Sequence, residues 1–540
     1  MGYLGEISII VLLCVSMSWI GHAEAVPLPL STESRWIVDG NGTRVKLACV
    51  NWPSHLQPVL AEGLDKLPAQ DITGQILGMG FNCVRLTWPL ELPMNITLRS
   101  LTVTQNFRQL GLEESLNSIE AYNPWVVNLS LMRAFEAMLM VLQHDGLMII
   151  LDNHITTPGW CCNWNDNNGF FGDMCFNASM WIDGLREMAT VALRYSNVIG
   201  MSLRNELRGP KSNIDDWYKY MQQGAETVHA ANPNVLVIFS GMNYDSDLSF
   251  LHDRPVKVSF SGKLVFEVHW YSFSHGRTAW MDTPLNDVCG RISARVMATA
   301  GFLAAGGDFG GYPVFVSEFG VDMRGTDAAD NRFLSCFMAA AAEQDWDFAV
   351  WGLQGSYYLR QGMKDLDETF GLLNHSWTGF RNSITLKRIS SLQRPFRGPG
   401  LSQTAVYQVI FHPLTGLCIG HKNRLLGPIR LEFCSLSPRW TYTAQRTLEV
   451  MGTQYVLQSS GDFQKPIELM ASLPDQASQW VLLSGSKLQL ASTALDGSSL
   501  CLDVFSNDYV ITEKCKCLDS NDPTCDPASQ WFRLVDSTMP

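Results

Sequence analysis

Two glutamates, Glu206 and Glu318, stand just after short apolar runs, where a buried strand would pass into its loop. Cleavage of a glycosidic bond needs such a pair. One carboxyl gives a proton to the leaving oxygen, and one carboxylate attacks the anomeric carbon. If their oxygens lie about 5–5.5 Å apart, the reaction is expected to retain configuration through a covalent glycosyl-enzyme.

Other polar or aromatic residues end neighbouring runs and are candidates to assist this pair. Arg85 and Tyr271 are expected to hold and orient the carboxylate of Glu318. Asn205, beside the expected acid, is a candidate to bond a sugar hydroxyl. The two histidines could bind hydroxyls or influence Glu206, and one indole offers a flat face for a pyranose ring. The complete substrate-binding set is Arg85, His154, Asn205, His269, Tyr271 and Trp351.

Structural alternatives remain open for these residues. Arg204 and Arg208 flank Glu206 at two residues' distance, so Glu206 could be a buried ion-pair partner. Glu318 could begin a helix, where an acidic residue is favourable. The histidines and the indole could be packing residues, and the arginine a purely structural one. No metal or cofactor is expected, because the carboxylates a metal would need serve better as catalysts.

Eight short apolar runs separated by amphipathic segments must position these side chains. Continuous Val/Ile/Leu runs fit parallel strands buried on both faces, and chemistry in a (β/α)8 barrel lies where strands enter their following loops. The sequence therefore predicts an α/β fold with a (β/α)8 TIM barrel over 26–388. An open doubly wound sheet lacks its glycine-rich fingerprint here. The predicted strands are Val45–Val50, Cys83–Leu86, Leu147–Leu151, Ile199–Leu203, Val235–Phe239, Leu264–Val268, Pro313–Val316 and Phe348–Trp351.

The last 136 residues have a different sequence pattern from the predicted barrel. A Ser, Arg, Pro and Gly-rich stretch over 389–404 predicts a short linker. Beyond it, Trp440, Trp480 and Trp531 mark three similar units, and the last two tryptophans each end an Ala-Ser-Gln-Trp tetrapeptide. A repeat of this kind predicts an all-β β-trefoil domain over 405–540, whose units bury one shared core.

The first residues and the overall charge indicate the compartment and the partners. Residues 1–25 combine an apolar run with an Ala-Glu-Ala cleavage pattern and are predicted to be a signal peptide, so the mature chain is expected to be secreted, extracellular or in a cell wall. The net charge of −13 argues against nucleic acid and anionic membranes as partners. Five glycosylation sequons support secretion: Asn41, Asn95, Asn128, Asn177 and Asn374.

Fourteen cysteines fit the same compartment. Removal of Cys14 with the signal leaves an odd number, so at least one thiol should be unpaired, and Cys83 is the predicted free one. In the tail, plausible disulfides join Cys418 to Cys434, and Cys501 to Cys515 or Cys517.

The ordered set of strand-end residues resembles glycoside hydrolase family 5, over about residues 35–385. The resemblance implies a retaining hydrolase of a β-linked glucan, mannan or related carbohydrate, with Glu206 as acid/base and Glu318 as nucleophile. The tail resembles a ricin B-type lectin domain, and the combination resembles secreted plant cellulase-like proteins. The tail departs from the usual Gln-x-Trp motif, because Gln directly precedes Trp480 and Trp531. Asp503 is its one named candidate for glycan binding.

Two further function classes stay open at this level. A transglycosylase would use the same residues with a sugar acceptor in place of water. A catalytically silent carbohydrate-binding protein would be expected to lack one of the two glutamates, and neither is missing. The segment Gly159–Trp164 is rich in aromatic and cysteine residues and is a candidate for part of the substrate cleft.

Overall fold

The computed structural model describes residues 26–305, 311–401, 405–420, 429–471, 476–518 and 521–539. The predicted signal peptide lies outside these residues. Within the described ranges, no helix combines the length and the apolar character that a membrane span needs.

Eight parallel strands close into a barrel, as the alternation of apolar runs predicts. Every residue in these strands is buried, because helices cover the outer face and side chains fill the interior. In chain order the barrel strands are β1 (Ala48–Trp52), β2 (Cys83–Pro89), β3 (Met148–Ile155), β4 (Val198–Ser202), β5 (Leu236–Phe239), β6 (Leu264–His269), β7 (Val314–Phe319) and β8 (Asp347–Val350).

Helices connect the strands and pack their apolar faces on the barrel. Leu131–His144 begins at Ser130, whose side chain accepts a hydrogen bond from the backbone of Arg133, and it buries residues such as Phe135. The α-helices are Ala69–Gly78, Glu91–Met94, Ile96–Ser100, Val103–Gln109, Glu113–Tyr122, Leu131–His144, Ala178–Ala192, Ile214–Ala231, Ala279–Asp282, Leu285–Thr299, Ala328–Gln344 and Ser383–Ser390. Short 3₁₀ helices cover Ser249–His252 and Gly301–Ala304.

Two antiparallel hairpins flank the barrel. The first pairs Ser31–Glu33 with Trp36–Val38, before β1. The second pairs Ser356–Arg360 with Met363–Asp367 and directly follows β8, which places it at the end of the barrel where the strands leave for their loops. We call this second element the β8 hairpin.

The C-terminal region is all-β, as predicted, and consists of two antiparallel sheets. Trp440, Trp480 and Trp531 are each completely buried, in keeping with a structural role for the repeated tryptophan. The strands are Tyr407–His412, Leu417–Gly420, Arg430–Glu432, Trp440–Tyr442, Leu448–Val450, Tyr455–Gln458, Lys465–Pro466, Glu468–Ala471, Val481–Leu483, Gln489–Thr493, Ser499–Val504, Val510–Lys514 and Arg533–Ser537. Short 3₁₀ helices cover Cys434–Leu436, Gln476–Ser478, Ser506–Asp508 and Ala528–Gln530.

The segment predicted as a linker is packed between the barrel and the C-terminal region. Ser383–Ser390 is helical, and Phe396 is buried, with its backbone bonded to the Asp345 carboxylate on one side and to Ser537 on the other. Trp531 donates its indole N–H to Asn286 Oδ1 at 2.9 Å. The two regions therefore share one continuous apolar core.

Six disulfides are present among the described residues, and they correct one prediction. Cys83 is not free: parallel pairing of β1 and β2 places it directly beside Cys49, with the Cα atoms 4.5 Å apart, and the two are bonded. The free thiol of the described residues is Cys175. The predicted bonds Cys418–Cys434 and Cys501–Cys515 are confirmed, and the others are Cys161–Cys162, Cys289–Cys336 and Cys517–Cys525.

Candidate active site

Strand ends and their loops line a cavity of about 590 Å³ at the mouth of the barrel. This size is typical of pockets that enclose a small organic ligand. Seven of the eight predicted site residues line it, and the eighth, Arg85, lies fully buried beneath it. The predicted residues on the cavity wall are His154, Asn205, Glu206, His269, Tyr271, Glu318 and Trp351.

Glu318 is the penultimate residue of β7 and is almost fully buried. Arg85 Nη1 donates to its Oε1 at 2.9 Å, and the Tyr271 hydroxyl donates to its Oε2 at 2.9 Å. Two donors, one of them cationic, favour the ionised form of this carboxyl. The structure thus makes both contacts that the sequence suggested for Glu318.

Glu206 follows β4 and adopts a left-handed backbone conformation, with φ of +47°. Its backbone N–H donates to Asp245 Oδ2 at 3.0 Å, which fixes the turn. The carboxyl Oε1 lies 3.0 Å from His269 Nδ1 and has no arginine partner. Arg204 instead contacts Asn153 and Asn168, so the ion-pair alternative for Glu206 is not what the structure shows.

The second flanking arginine is also engaged elsewhere. Arg208 donates to the backbone oxygen of Glu206 and pairs with the Asp166 carboxylate, leaving the Glu206 carboxyl without a cation. The helix-start alternative for Glu318 is excluded by its place in β7. An oxygen of Glu206 and an oxygen of Glu318 lie within 4.8 Å of one another. His269 Nδ1 stands between them, 3.0 Å from Glu206 Oε1 and 3.6 Å from Glu318 Oε2.

A fully buried cluster of acids surrounds Arg85 below the cavity. Its Nη2 lies 3.1 Å from Asp152 Oδ1 and 3.6 Å from Glu267 Oε2, and it also donates to Asn205 Oδ1 at 3.1 Å. Burial alone would lower the pKa of this arginine, but the surrounding carboxylates raise it. Arg85 is therefore a permanent cation that links Glu318 to Asn205.

Burial raises the pKa of both Glu206 and Glu318 to about 7. The positive charge of Arg85 opposes this rise at Glu318. Glu318 accepts hydrogen bonds from Arg85 and Tyr271, whereas the carboxyl of Glu206 accepts none from a cation. We therefore assign the first ionisation of the pair to Glu318. Burial lowers the pKa of His269, which keeps its imidazole neutral between the two carboxyls.

The aromatic and amide residues form the rest of the cavity wall. Trp351 stacks on His154 with the ring centroids 5.5 Å apart and an interplanar angle of 16°. His154 Nδ1 is 2.6 Å from Asp152 Oδ2, which fixes the imidazole orientation. The Asn205 amide nitrogen approaches the sulfurs of Cys161 and Cys162 at 3.9 and 3.7 Å.

Other residues also line the cavity, and the sequence indicated only some of them. Trp160, Cys161 and Cys162 belong to the segment that was a candidate for the cleft, and they do line it, whereas Trp164 is half exposed outside it. The others come from loops after β5, β6 and β8, where no spacing rule distinguishes them. They are Asn243, Tyr244, Ser246, Phe273, Ser274, Arg360, Glu368 and Phe370.

Two groups of donors in the cavity are close enough to bind a metal ion. One is Glu206, His269 and Glu318, and the other adds the sulfurs of Cys161 and Cys162 to Glu206. The sulfurs are joined in a disulfide and are not thiolate ligands. The first group is already bonded within itself and to Arg85 and Tyr271.

In the C-terminal region, Asp503 is buried rather than open to a ligand. Its Oδ2 accepts from Lys516 Nζ at 2.8 Å and from Gln530 Nε2 at 3.1 Å. Gln530 is the glutamine of the last Ala-Ser-Gln-Trp tetrapeptide. The carboxylate thus ties two parts of the third unit together.

Comparison with known proteins places this cavity in a family. A model of the cellulase family (glycosyl hydrolase family 5) matches residues 38–356. A "Glycosyl hydrolase 5 family protein" of Chamaecyparis obtusa is 40% identical over 521 residues, covering 94% of this chain and 93% of the relative.

Solved structures share the barrel. A hyperthermophilic endocellulase from Pyrococcus horikoshii matches with a TM-score of 0.54 at 19% identity, over 68% of this chain and 99% of that one. The catalytic domain of the major endoglucanase from Xanthomonas campestris pv. campestris matches with a TM-score of 0.54 at 21% identity, over 67% and 99%. The structural likeness shows the fold. Since the family model spans more than half of the chain and the relative spans nearly all of it, the chain belongs to glycosyl hydrolase family 5 and is a glycosidase.

Proposed function

We propose that the chain is a secreted retaining β-glycoside hydrolase in which Glu318 is the nucleophile and Glu206 the acid/base. The observation that carries this proposal is the pair of carboxyl oxygens within 4.8 Å of one another, in unlike surroundings. Retaining glycosidases bring the two groups about 5–5.5 Å apart, whereas inverting enzymes need about 6.5–9.5 Å to admit a water.

The surroundings assign the two roles. Arg85 and Tyr271 hold Glu318 as a carboxylate that attacks the anomeric carbon, while the carboxyl of Glu206 gives its proton to the leaving oxygen as the glycosidic bond breaks. Glu206 then takes a proton from water, whose oxygen attacks the same carbon and releases Glu318. His269, neutral and 3.0 Å from Glu206, is a positioning residue for that carboxyl.

The remaining predicted residues are proposed to bind the sugar. Trp351 presents an indole face to the ring, and Asn205, held by Arg85, is placed to bond a hydroxyl near the bond that is cut. His154 is fixed by Asp152 and faces the same cavity. A β-linked glucan is our first candidate substrate because the matching family model is a cellulase, and a mannan or related cell-wall carbohydrate is the second.

The test uses β-glucans, mannans and aryl β-glycosides with the wild type, Glu318→Gln and Glu206→Gln. Turnover of any substrate by the wild type and its loss in Glu318→Gln would support the assignment. On an aryl β-glycoside whose leaving group departs without a proton, adding azide to Glu206→Ala should restore turnover and yield a glycosyl azide of retained configuration, because this anion needs no general base in the second step. Glu136→Gln, a buried glutamate on the outer helix Leu131–His144, is the matched control. An inverted first product would overturn the retaining mechanism.

Transglycosylation remains the second candidate activity, since it uses the same residues. Sugar acceptors added to the same assays measure it directly, as longer products formed at the expense of hydrolysis. If transfer dominates at low acceptor concentration, the principal activity is glycosyl transfer and not hydrolysis.

For the C-terminal region we propose a ricin B-like β-trefoil that packs on the barrel. The three buried tryptophans support the repeat, and the bonds of Asp503 to Lys516 and Gln530 favour a structural role for that carboxylate. Binding of the full chain and of Asp503→Asn to insoluble glycans tests whether this region also binds sugar. Glycan binding that survives Glu318→Gln and is lost in Asp503→Asn, with the fold intact, would reverse the structural assignment.

A further inference from the structure

The cavity has two unlike ends, and this difference bears on where a substrate chain can lie. Glu206, the proposed acid, stands beside the loop after β5: the Tyr244 backbone N–H donates to Leu207 O at 3.1 Å, and Asp245 holds the Glu206 backbone. The proton of Glu206 goes to the leaving group. The leaving-group side of the cavity is therefore the side of β4, β5 and β6.

That side is open to solvent. Asn243 is exposed, Phe273 is 53% exposed and Trp164 is 48% exposed. The ring centroids of Trp164 and Tyr244 lie 6.3 Å apart. The two rings provide aromatic surface on the leaving-group side of the cavity. We infer from these exposed side chains that a long leaving group can extend outward on this side.

The opposite side, above β1 and β2, is closed by a contact between two segments. Trp160 comes from the loop after β3, and Arg360 comes from the β8 hairpin. The Arg360 guanidinium carbon lies 3.5 Å from the centre of the Trp160 ring, and Tyr357 meets the same indole edge-on at 5.8 Å. Since β1 and β2 stand between β8 and β3 in the barrel, these side chains meet across that quarter of its mouth.

Both segments are anchored on the loop after β1. The Gly159 N–H donates to His55 O at 3.2 Å beneath the Trp160 segment. Beneath the hairpin, the Tyr358 N–H donates to Glu62 Oε2 at 2.7 Å, and the Tyr358 hydroxyl donates to Ala61 O at 2.8 Å. Tyr358 and Glu62 are buried. The closure rests on buried bonds and is a fixed part of the fold.

The inner surface of this closure carries a neutralised ion pair. Arg360 Nη1 donates to Glu368 Oε2 at 2.9 Å, and the Tyr357 hydroxyl bonds the same carboxylate. Arg360 and Glu368 both line the cavity. A paired arginine and glutamate present donors and acceptors without net charge, which suits the hydroxyls of a neutral terminal sugar better than a uronic acid.

We propose that Trp160, Arg360 and Glu368 form an end wall on the glycone side, so that the enzyme removes sugars from the non-reducing ends of β-linked chains and does not cut long chains internally. The proposal deepens the function proposed above and rests on it. The glycone lies over Trp351 and meets the wall at its non-reducing end, while the rest of the chain leaves past Tyr244 and Phe273.

The experiment follows the position of the first cut. Cellopentaose and mannopentaose carrying a fluorescent label at the reducing end are digested, and the labelled products are sized early in the reaction, before they are cut a second time. The wild type should shorten the labelled chain stepwise from the far end. On soluble β-glucan or mannan, viscosity should fall little per reducing end formed.

Removing side chains of the end wall should move the site of cleavage toward the middle of the substrate chain. In Trp160→Ala/Arg360→Ala we expect labelled products from the middle of the pentasaccharide and a several-fold larger viscosity loss per bond cut. Glu368→Gln, which keeps the shape, should raise KM for short substrates while keeping the end preference. Arg254→Ala is the matched control, because it removes a guanidinium that stacks on Tyr218 outside the cavity, 3.8 Å from the ring centre.

The outcomes distinguish a failure of the end-wall proposal from a failure of the proposed hydrolase function. A wild type that cuts these chains internally, with a product pattern unchanged in Trp160→Ala/Arg360→Ala, overturns the end wall and leaves the hydrolase intact. A wild type that turns over no β-glycoside overturns both. Circular dichroism and thermal midpoints of each variant exclude misfolding as the reason for a change, and Arg360→Lys, which keeps the charge, provides a milder replacement.

Discussion

Removing one hydroxyl group should shift the ionisation of the proposed nucleophile. Tyr271→Phe deletes the 2.9 Å bond from the tyrosine hydroxyl to Glu318 Oε2 and leaves the ring in place. A hydrogen bond to a charged group contributes about 1.5–3 kcal/mol, and one pKa unit corresponds to about 1.4 kcal/mol. The pKa of Glu318 should therefore rise by about one to two units.

The sign of the effect follows from the form that reacts. Glu318 must be ionised, so its pKa sets the acid limb of the pH profile of kcat/KM, and Glu206 must be protonated, so its pKa of about 7 sets the basic limb. In Tyr271→Phe the acid limb should move to higher pH. At a pH below the acid limb of both proteins, kcat/KM of Tyr271→Phe should be roughly 10- to 100-fold lower than that of the wild type.

The assay is the pH dependence of kcat/KM on an aryl β-glycoside from about pH 4 to about pH 8, a range that spans the expected limbs. Tyr195→Phe is the control, because its hydroxyl bonds Glu136 at 3.1 Å on an outer helix. An equal loss of rate at every pH, with the acid limb unmoved, would show that Tyr271 acts on the substrate and would refute the reasoning.

Three further predictions concern stability. Burial lowers the pKa of His412 to about 4, so the stability contributed by its neutral form is fully present above about pH 6.5 and is lost as the pH falls toward 4. Between about pH 7 and about pH 4.5, the free energy of unfolding measured in urea should fall by about 2 kcal/mol less in His412→Gln than in the wild type, and an equal fall in both proteins would contradict this. Asn286→Ala orphans the buried indole N–H of Trp531 and should lower the thermal midpoint by an amount equivalent to about 1–3 kcal/mol; an unchanged midpoint would deny that this bond joins the two regions. Replacing Cys289 and Cys336 by Ala opens a loop of 47 residues and should lower the free energy of unfolding, measured by calorimetry, by up to about 4 kcal/mol. An unchanged free energy of unfolding would contradict the view that this disulfide restrains the unfolded chain.

The barrel and the two glutamates were predictable because parallel strands leave a clear signal. A strand buried on both faces is mostly apolar, so the polar residues that follow its apolar run mark the barrel mouth. Glu206 and Glu318 were found in this way, and the structure brings their oxygens together. Arg85 was predicted beside Glu318, although it lies beneath the cavity and not on its wall.

Two of the acids beneath the cavity were not predictable from spacing. Glu267 lies inside β6 at a position that reads as part of an apolar run, and Asp245 follows β5 in a loop. The pairing of Cys49 with Cys83 was missed for a related reason. It depends on the register of two parallel strands, which a single sequence does not reveal. The contact between Arg360 and Trp160 joins residues 200 positions apart in the chain, and no local sequence pattern predicts it.

The buried acids also explain how the barrel can keep a proton on Glu206. Asp152, Asp245 and Glu267 are fully buried around Arg85, and burial raises the pKa of each. One arginine cannot neutralise all of these groups together with Glu206 and Glu318, so part of the cluster must carry protons. Of the two glutamates, the one that loses its proton first is Glu318, because Arg85 and Tyr271 both touch it. Every remaining negative charge then disfavours ionisation of Glu206, which suits the acid role that we propose for it.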